Sequence, residues 1–101
     1  LVYLSGQIPL DPKEMIIVSD NIEQQIEQVF KNLQQVLTAA NSSLDNIIKL
    51  NVYLTNLENF SKVNDHMEKI FTKPYPARAA IGIKELPKEA LIEIDAIAET
   101  K

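Results

Sequence analysis

The chain has 101 residues, a hydrophobic fraction of 46%, a charged fraction of 24% and a formal net charge of −4, which is typical of one globular domain. No apolar run approaches the ~18 residues of a membrane span, and the acidic balance argues against a broad phosphate-binding surface. Neither membrane nor nucleic-acid binding is therefore expected. Cysteine is absent and His66 is the lone histidine, which excludes disulfides, a thiolate nucleophile and zinc-thiolate or His-rich metal sites.

The first residue and the absence of cysteine lead to expectations about the N-terminal end of the chain and its cellular location. The chain begins at Leu1, without methionine and inside an apolar segment, so we expect residues 1–101 to form one domain that lacks an N-terminal segment. The absence of cysteine favours a reducing cytoplasm. His66 lies beside Asp65 in a helical stretch and is expected to be a surface residue without a catalytic role.

The first elements predicted are a strand, a turn and a second strand. Residues 1–7 are rich in β-branched and aromatic types and predict a strand. Residues 8–14 contain two prolines and predict a turn. The apolar run at 15–19 then predicts a second strand, which should pair with the first as a hairpin.

Two amphipathic helices follow. Asp20 and Glu23 form a plausible capping box, and Asn41 suits the left-handed residue that ends a helix. Between them, apolar residues recur at helical spacing: Ile22, Ile26, Val29, Phe30, Leu33, Val36, Leu37 and Ala40. A second helix is predicted at 59–71, with an inner stripe of Phe60, Val63, Met67, Ile70 and Phe71.

Three more strands are predicted, at 47–55, 77–83 and 91–99. The last alternates in polarity, with one face, expected under the helices, made of Ile92, Ile94, Ala96 and Ala98 and the other of Leu91, Glu93, Asp95 and Ile97. The element order is then β-β-α-β-α-β-β, and two helices with one apolar stripe each can cover only one face of a mixed sheet. We therefore predict an α+β two-layer sandwich. The uncovered face should be half-buried against another copy of the chain, so we expect a homo-oligomer.

Arg78 is the single arginine, and it begins the apolar segment "ARAAIGI". The small residues Ala80 and Gly82 share its side of the strand and would leave a hollow in front of it. If the last two strands pair as a hairpin, Arg78 lies near Glu93 on the uncovered face. A buried salt bridge to Glu93 or Asp95 and a functional anion site are then equally open.

Four segments carry a family resemblance: "SGQIPLDP" (5–12), "SSLDNIIKLNVYLTNLENFSKVN" (42–64), "PARAAI" (76–81) and "LPKEALIEIDAIA" (86–98). In this order they resemble the Rid family, the reactive intermediate deaminases or YjgF-like proteins, and most closely its RidA branch. The resemblance implies a chorismate-mutase-like fold and a homotrimer with sites between subunits. It also implies cofactor-free hydrolysis of 2-imino acids, the tautomers of enamines, to 2-oxo acids and ammonia, a form of metabolite damage control.

The resemblance also implies roles for individual residues. Arg78 matches the carboxylate-binding arginine, and Glu93 matches the glutamate that handles water. Ala80 stands where the family often has cysteine and acts through backbone atoms. Ser5, Gly6 and Asn64 match residues that line the substrate pocket, although Asn64 also suits a purely structural buried amide, and a serine before glycine is ordinary turn chemistry. No metal ligand is implied.

Two other functions remain open. A non-catalytic trimer could keep the arginine and sense a metabolite carboxylate, although a buried base such as Glu93 is not needed for binding alone. The endoribonuclease or translation-inhibitor activity sometimes attached to the family fits least well, because the chain is acidic and lacks a basic, aromatic-rich patch.

Overall fold

The structure, a computed structural model, describes residues 1–101 as four strands and two long helices. In chain order these are β1 (Val2–Gln7), α1 (Ile22–Ala39), β2 (Ile47–Leu54), α2 (Phe60–Ile70), β3 (Ala77–Gly82) and β4 (Ile92–Ala98). Short 3₁₀ turns precede β2, α2 and β4. Neither α1 nor α2 combines the length and the apolar character that a bilayer-spanning helix requires.

The four strands form one mixed sheet in the order β1-β4-β2-β3. β4 runs antiparallel to both β1 and β2, whereas β3 runs parallel to β2, to which α2 connects it. The predicted α+β two-layer sandwich is confirmed. The predicted hairpin between the last two strands is wrong, because β2 lies between β3 and β4. Every second residue of β4 is buried, as expected for a strand in the interior of a sheet with one covered face. β3, in contrast, lies at the edge of the sheet.

The core lies between the helices and one face of the sheet. The alternation predicted for β4 is confirmed: Ile92, Ile94, Ala96 and Ala98 are buried, and the residues between them are half-buried on the other face. β2 contributes Leu50, Val52 and Leu54 to the same core, and the helical stripes of α1 and α2 close it. We call the side away from the helices the open face.

The ends of α1 follow ordinary capping chemistry. The N-cap is Asn21, whose side chain accepts a hydrogen bond from the Gln24 backbone N–H at 2.9 Å. The predicted cap at Asp20 is therefore one residue too early. At the other end, Asn41 has a φ of 57°, as predicted for the residue that ends the helix.

The predicted second strand at 15–19 does not form. The Asp11 side chain accepts hydrogen bonds from the backbone N–H groups of Lys13 and Glu14 and so closes a tight turn. Beyond this turn, the segment makes one isolated antiparallel β-bridge, Leu10 to Ile17. Asn32 of α1 donates its side-chain amide to two carbonyl oxygens of this loop, at 3.2 and 2.9 Å. The loop is therefore held against the helix and does not extend the sheet.

Gln25 is the polar residue that ties α1 to two distant loops. Its side chain is 2% exposed, donates to the Ser19 carbonyl at 2.8 Å and accepts from the Leu91 N–H at 2.9 Å. Gln25→Ala should lower the free energy of unfolding by about 1–3 kcal/mol, because two buried backbone groups lose their partners. Chemical denaturation measures this. Gln24→Ala, on the exposed side of the same turn, is the control, and equal losses in both variants would contradict the assignment.

Candidate active site

Arg78 is held by three side chains of α2. Its Nη1 donates to Asn64 Oδ1 at 2.6 Å and lies 3.8 Å from Met67 Sδ, and its Cζ is 4.7 Å from the centre of the Phe60 ring. The two ion pairs of the chain, Lys31 with Glu27 and Lys62 with Glu23, do not involve it. The guanidinium is thus oriented without being neutralised.

An open cavity of about 460 Å³ lies in front of this guanidinium, lined by Asn64, Met67, Glu68, Tyr75, Pro76 and Arg78. Asn64 also donates to Glu68 Oε1 at 3.3 Å, so its amide bridges an anion and a cation and stays in one orientation. Because only Nη1 of Arg78 has a partner within the chain, its other N–H donors are available to an anion entering the cavity.

Ala80 lies two residues beyond Arg78 on the same side of β3. It pairs with Val52 of β2 and packs against the core. The small side chains expected beside Arg78 are therefore present, but they lie on the helix side of the sheet. The prediction that Arg78, Ala80 and Gly82 occupy the uncovered face is wrong.

Glu93 lies on the open face of β4, against β1. A Cβ placed on Gly6 would stand 2.6 Å from Glu93 Oε2 and 2.8 Å from its Cδ, so the absence of a side chain at Gly6 makes the space that the carboxylate fills. The register of β1 against β4 is interrupted between Leu4 and Gln7. Ser5 falls in this irregular part and is exposed, and its hydroxyl makes no hydrogen bond within the chain.

A second acid, Asp95, accompanies Glu93 on the open face. Asp95 accepts hydrogen bonds from Asn51 Nδ2 at 2.8 Å and from the Tyr53 hydroxyl at 3.0 Å. Burial, and to a smaller extent the negative charge of Asp95, raise the pKa of Glu93 above its ordinary value of 4.5. The hydrogen bond to Asp95 raises the pKa of Tyr53 above 10.0. Glu93 is therefore a stronger base than a solvated carboxylate.

Arg78 and Glu93 do not meet within one chain. Arg78 pairs with Leu50 on the helix side, whereas Glu93 pairs with Tyr53 on the open face. The two are separated by two strand spacings, about 10 Å, and by three residues along the strands, about another 10 Å. A salt bridge from Arg78 to Glu93 or Asp95 within the chain is therefore excluded. The predicted site residues therefore fall into two groups: Arg78, Asn64 and Ala80 lie on the helix side of the sheet, and Glu93, Gly6 and Ser5 lie where β4 meets β1.

A family model described as endoribonuclease L-PSP, the YjgF/Rid family, matches residues 1–100. The chain belongs to this family. Among solved structures, RidA from Psychrobacter sp. PAMC 21119 superposes on this Rid chain with a TM-score of 0.91 at 40% sequence identity, over 95% of this chain and 77% of that one. The expected family and its RidA-like fold are thereby confirmed.

Curated relatives of this Rid chain carry different functional names. A Lactococcus lactis relative that bears a regulator name, AldR, is 50% identical over 101 residues, which are 100% of this chain and 80% of the relative. A 2-iminobutanoate/2-iminopropanoate deaminase from Dermatophagoides farinae is 36% identical over 96 residues, which are 95% of this chain and 75% of the enzyme. Family membership is therefore shown, and the activity has to be argued from the site.

Some site residues of this Rid chain were missed by the sequence reasoning. Phe60 and Met67 were assigned to the core only, although their spacing from Asn64 along α2 could have placed them beside any group that Asn64 binds. Tyr75 had no recognisable signal in the sequence, and Asp95 was considered only as a salt-bridge partner of Arg78. His66 is half-buried against the Phe30 ring, at 5.1 Å between ring centres, and burial lowers its pKa. It is on the far side of α2 from the cavity and makes none of its contacts.

The raised pKa of Glu93 predicts that its ionised form destabilises the Rid chain. Protonated Glu93 is favoured by folding, so the favourable contribution is present below pH 4.5 and is lost as the pH rises through the higher pKa of the folded state. Glu93→Gln should therefore raise the melting temperature at pH 7, and this gain should shrink towards pH 4.5. Scanning fluorimetry across this range measures it. The exposed Glu85→Gln is the control, and equal melting temperatures for the two variants at pH 7 would contradict the prediction.

Proposed function

We propose that this chain is a hydrolytic deaminase that converts small 2-imino acids, of the 2-aminoacrylate and 2-iminobutanoate type in their imine form, to 2-oxo acids and ammonia. The observation that carries the proposal is Arg78: an arginine without an acidic partner, oriented by Asn64 at the wall of an open cavity. Membership of the Rid family and the deaminase name of the mite relative support it.

The guanidinium of Arg78 suits the carboxylate of a 2-imino acid. Two parallel N–H donors can bind both carboxylate oxygens, which fixes the direction of the neighbouring C=N bond as well as its position. Asn64, the Phe60 ring and the Met67 sulfur restrict the guanidinium before the substrate arrives. Less conformational freedom is then lost on binding, and the imine carbon is presented in one orientation.

We further propose that the working site lies between two copies of the chain in a homotrimer. Arg78 and Glu93 are on opposite sides of the sheet, so one substrate can contact both only if a second chain brings its Glu93 to the first chain's Arg78. The open face also carries exposed apolar side chains, with Tyr3 at 73% and Ile81 at 48% exposure, which another subunit would cover.

The proposed chemistry needs water and these two residues. Glu93 accepts a proton from water as the water oxygen forms a bond to the imine carbon, and the π electron pair of C=N moves to nitrogen, which takes a proton from a solvent water. The tetrahedral adduct then breaks its C–N bond. Ammonia leaves with the proton that Glu93 returns, and the remaining hydroxyl gives its proton to the hydroxide left in solvent as C=O forms. The balance is one imine and one water consumed, one 2-oxo acid and one ammonia released.

The direct test is a coupled reaction. Threonine dehydratase releases an enamine that becomes 2-iminobutanoate, and addition of this protein should accelerate the appearance of 2-oxobutanoate. The same amount of Glu93→Gln protein, shown by sedimentation to have the same oligomeric state, is the control. Absence of acceleration by the folded wild-type oligomer would refute the deaminase proposal.

A metabolite-binding regulator is the second candidate, and the regulator name of the Lactococcus lactis relative favours it. The same arginine site would bind a 2-oxo or amino acid carboxylate without turnover. Calorimetry with 2-oxobutanoate separates the two candidates: binding that Arg78→Ala abolishes, together with no acceleration in the coupled assay, would establish the regulator.

The family description also raises endoribonuclease activity, which RNA cleavage surviving both the Arg78 and Glu93 substitutions would support. We assign the deaminase to the cytoplasm, as the absence of cysteine suggests.

A further inference from the structure

The polar cluster on the open face has no role in the proposed reaction so far. It consists of Asp95 on β4 with Asn51 and Tyr53 on β2. Both Asp95 oxygens are occupied, Oδ1 by Asn51 and Oδ2 by Tyr53, so Asp95 has limited capacity to bind substrate or water. An acid held in this way between two neighbouring strands has a fixed position and a fixed charge.

This charge lies beside Glu93. Asp95 is two residues from Glu93 on the same strand and the same face. Tyr53 is the cross-strand partner of Glu93, yet its hydroxyl reaches past Glu93 to Asp95. The ring of Tyr53 therefore lies next to Glu93 from β2, while Gly6 contacts it from β1. Glu93 thus lies between Gly6 on β1 and Tyr53 on β2, and no hydrogen bond within the chain involves its carboxylate.

Within one chain, the other groups that face Glu93 do not counter this charge, although the proposed oligomer brings Arg78 of a neighbouring chain towards it. From β1 the neighbours are Gly6, Ser5 and, further along, Tyr3, none of which is charged at neutral pH. From β2 the only cation on the open face is Lys49, which pairs with Ile97, four residues from Glu93 along β4. Asp95 is thus the nearest fixed charge, and its effect on the pKa of Glu93 is upward.

We propose that Asp95 is a positioning residue: a negative charge, held by Asn51 and Tyr53 beside Glu93 on the open face, which adds to the effect of burial in making Glu93 a stronger base without itself contacting the substrate. This rests on the proposed role of Glu93 as the base. Tyr53 contributes twice, because its ring restricts Glu93 and its hydroxyl fixes Asp95. A base of higher proton affinity takes the proton of water more readily, so the pair Asp95 and Glu93 works better near neutral pH than Glu93 alone.

The test compares Asp95→Asn, an isosteric change that removes the charge, with Glu85→Gln, which removes one exposed charge far from the open face. The carboxyl carbon of Glu93 is followed by NMR in the full chain labelled with ¹³C-glutamate, and its signal is assigned as the one missing from Glu93→Gln. We expect its titration midpoint to move to lower pH in Asp95→Asn and to stay in place in Glu85→Gln. No movement in Asp95→Asn, or equal movement in both, would overturn the proposal.

Steady-state kinetics of the same variants provide a second test of the role of Asp95. In Asp95→Asn, kcat for imine hydrolysis should fall by roughly three- to tenfold with KM nearly unchanged, and the acidic limb of its pH profile should move to lower pH. Tyr53→Phe keeps the ring and the Asp95 charge but removes one of the two hydrogen bonds that hold Asp95, so we expect a smaller loss of kcat and a smaller movement of the Glu93 midpoint in the same direction. Full activity in Tyr53→Phe would refute the fixation of Asp95 by Tyr53. If the wild-type chain shows no turnover, the proposed function fails while the NMR titration still decides the coupling.

Discussion

Arg78→Ala should reduce kcat/KM for imine hydrolysis by roughly 10²–10⁴-fold, because each of two hydrogen bonds to a charged group contributes about 1.5–3 kcal/mol. Arg78→Lys should lose less, on the order of 10–100-fold, since it keeps the charge and loses the planar fork. The structure explains why lysine is not equivalent: the guanidinium contacts Asn64 through Nη1 and lies over Phe60, and an ammonium group lacks the further planar N–H donors that could bind both carboxylate oxygens in parallel.

The control for this prediction is Lys84→Ala, which removes an exposed cation just beyond β3. Steady-state rates in the threonine dehydratase assay, with the oligomeric state checked for each protein, compare the three variants. If Lys84→Ala loses as much activity as Arg78→Ala, the effect is a general loss of positive charge. If Arg78→Ala keeps wild-type activity, the carboxylate-binding role is wrong.

Gly6→Ala should reduce kcat by roughly 10–100-fold while leaving the fold intact. The added Cβ would stand 2.6 Å from Glu93 Oε2, and because that atom ends a flexible side chain, Glu93 moves aside at small cost to stability. The reaction then loses a correctly placed base, and general bases contribute about 10²–10⁴-fold. Gly82→Ala is the matched control, since its new Cβ meets Leu57 at an ordinary 3.6 Å.

A double-mutant cycle shows whether the loss in Gly6→Ala acts through Glu93. In a Glu93→Gln background, Gly6→Ala should cause little further loss of kcat, because the group it displaces is already inactive. Additive losses would indicate that Gly6 acts on the substrate or on the fold directly. A fully active Gly6→Ala protein would contradict the placement of Glu93.

The periodic elements could be predicted because they depend on local spacing. The apolar stripe of α1 and the alternation of β4 are each visible in one short segment, and the structure confirms both. The strand at 15–19 does not form, and the turn before it is held against α1 by Asn32, which donates to the Ile8 and Leu10 carbonyls from more than 20 residues away in the chain. The apolar composition of that segment carries no trace of this partner.

The same contrast between local spacing and contacts distant in the chain applies to the residues of the candidate site. A cavity does lie in front of the lone arginine, but it is lined by residues of α2 and by Tyr75 and Pro76, and the small neighbours Ala80 and Gly82 do not line it. A strand pattern also does not reveal which face of the sheet its residues occupy. That depends on strand order: with β3 at the edge beside β2, Arg78 points towards α2 and away from Glu93. Asp95 looked like a candidate partner for Arg78, and its actual partners, Asn51 and Tyr53, became evident only from the register of β2 against β4.

The central claim is that Arg78 of one chain and Glu93 of another form one site. The most direct test is to co-express Arg78→Ala and Glu93→Gln chains with different tags and to assay the purified mixed oligomers. Every mixed trimer, of either composition, has one cleft in three that joins an intact Arg78 to an intact Glu93, so we predict recovery of about a third of the wild-type activity, while each variant alone stays inactive. Mixed oligomers as inactive as the single variants would contradict the shared site.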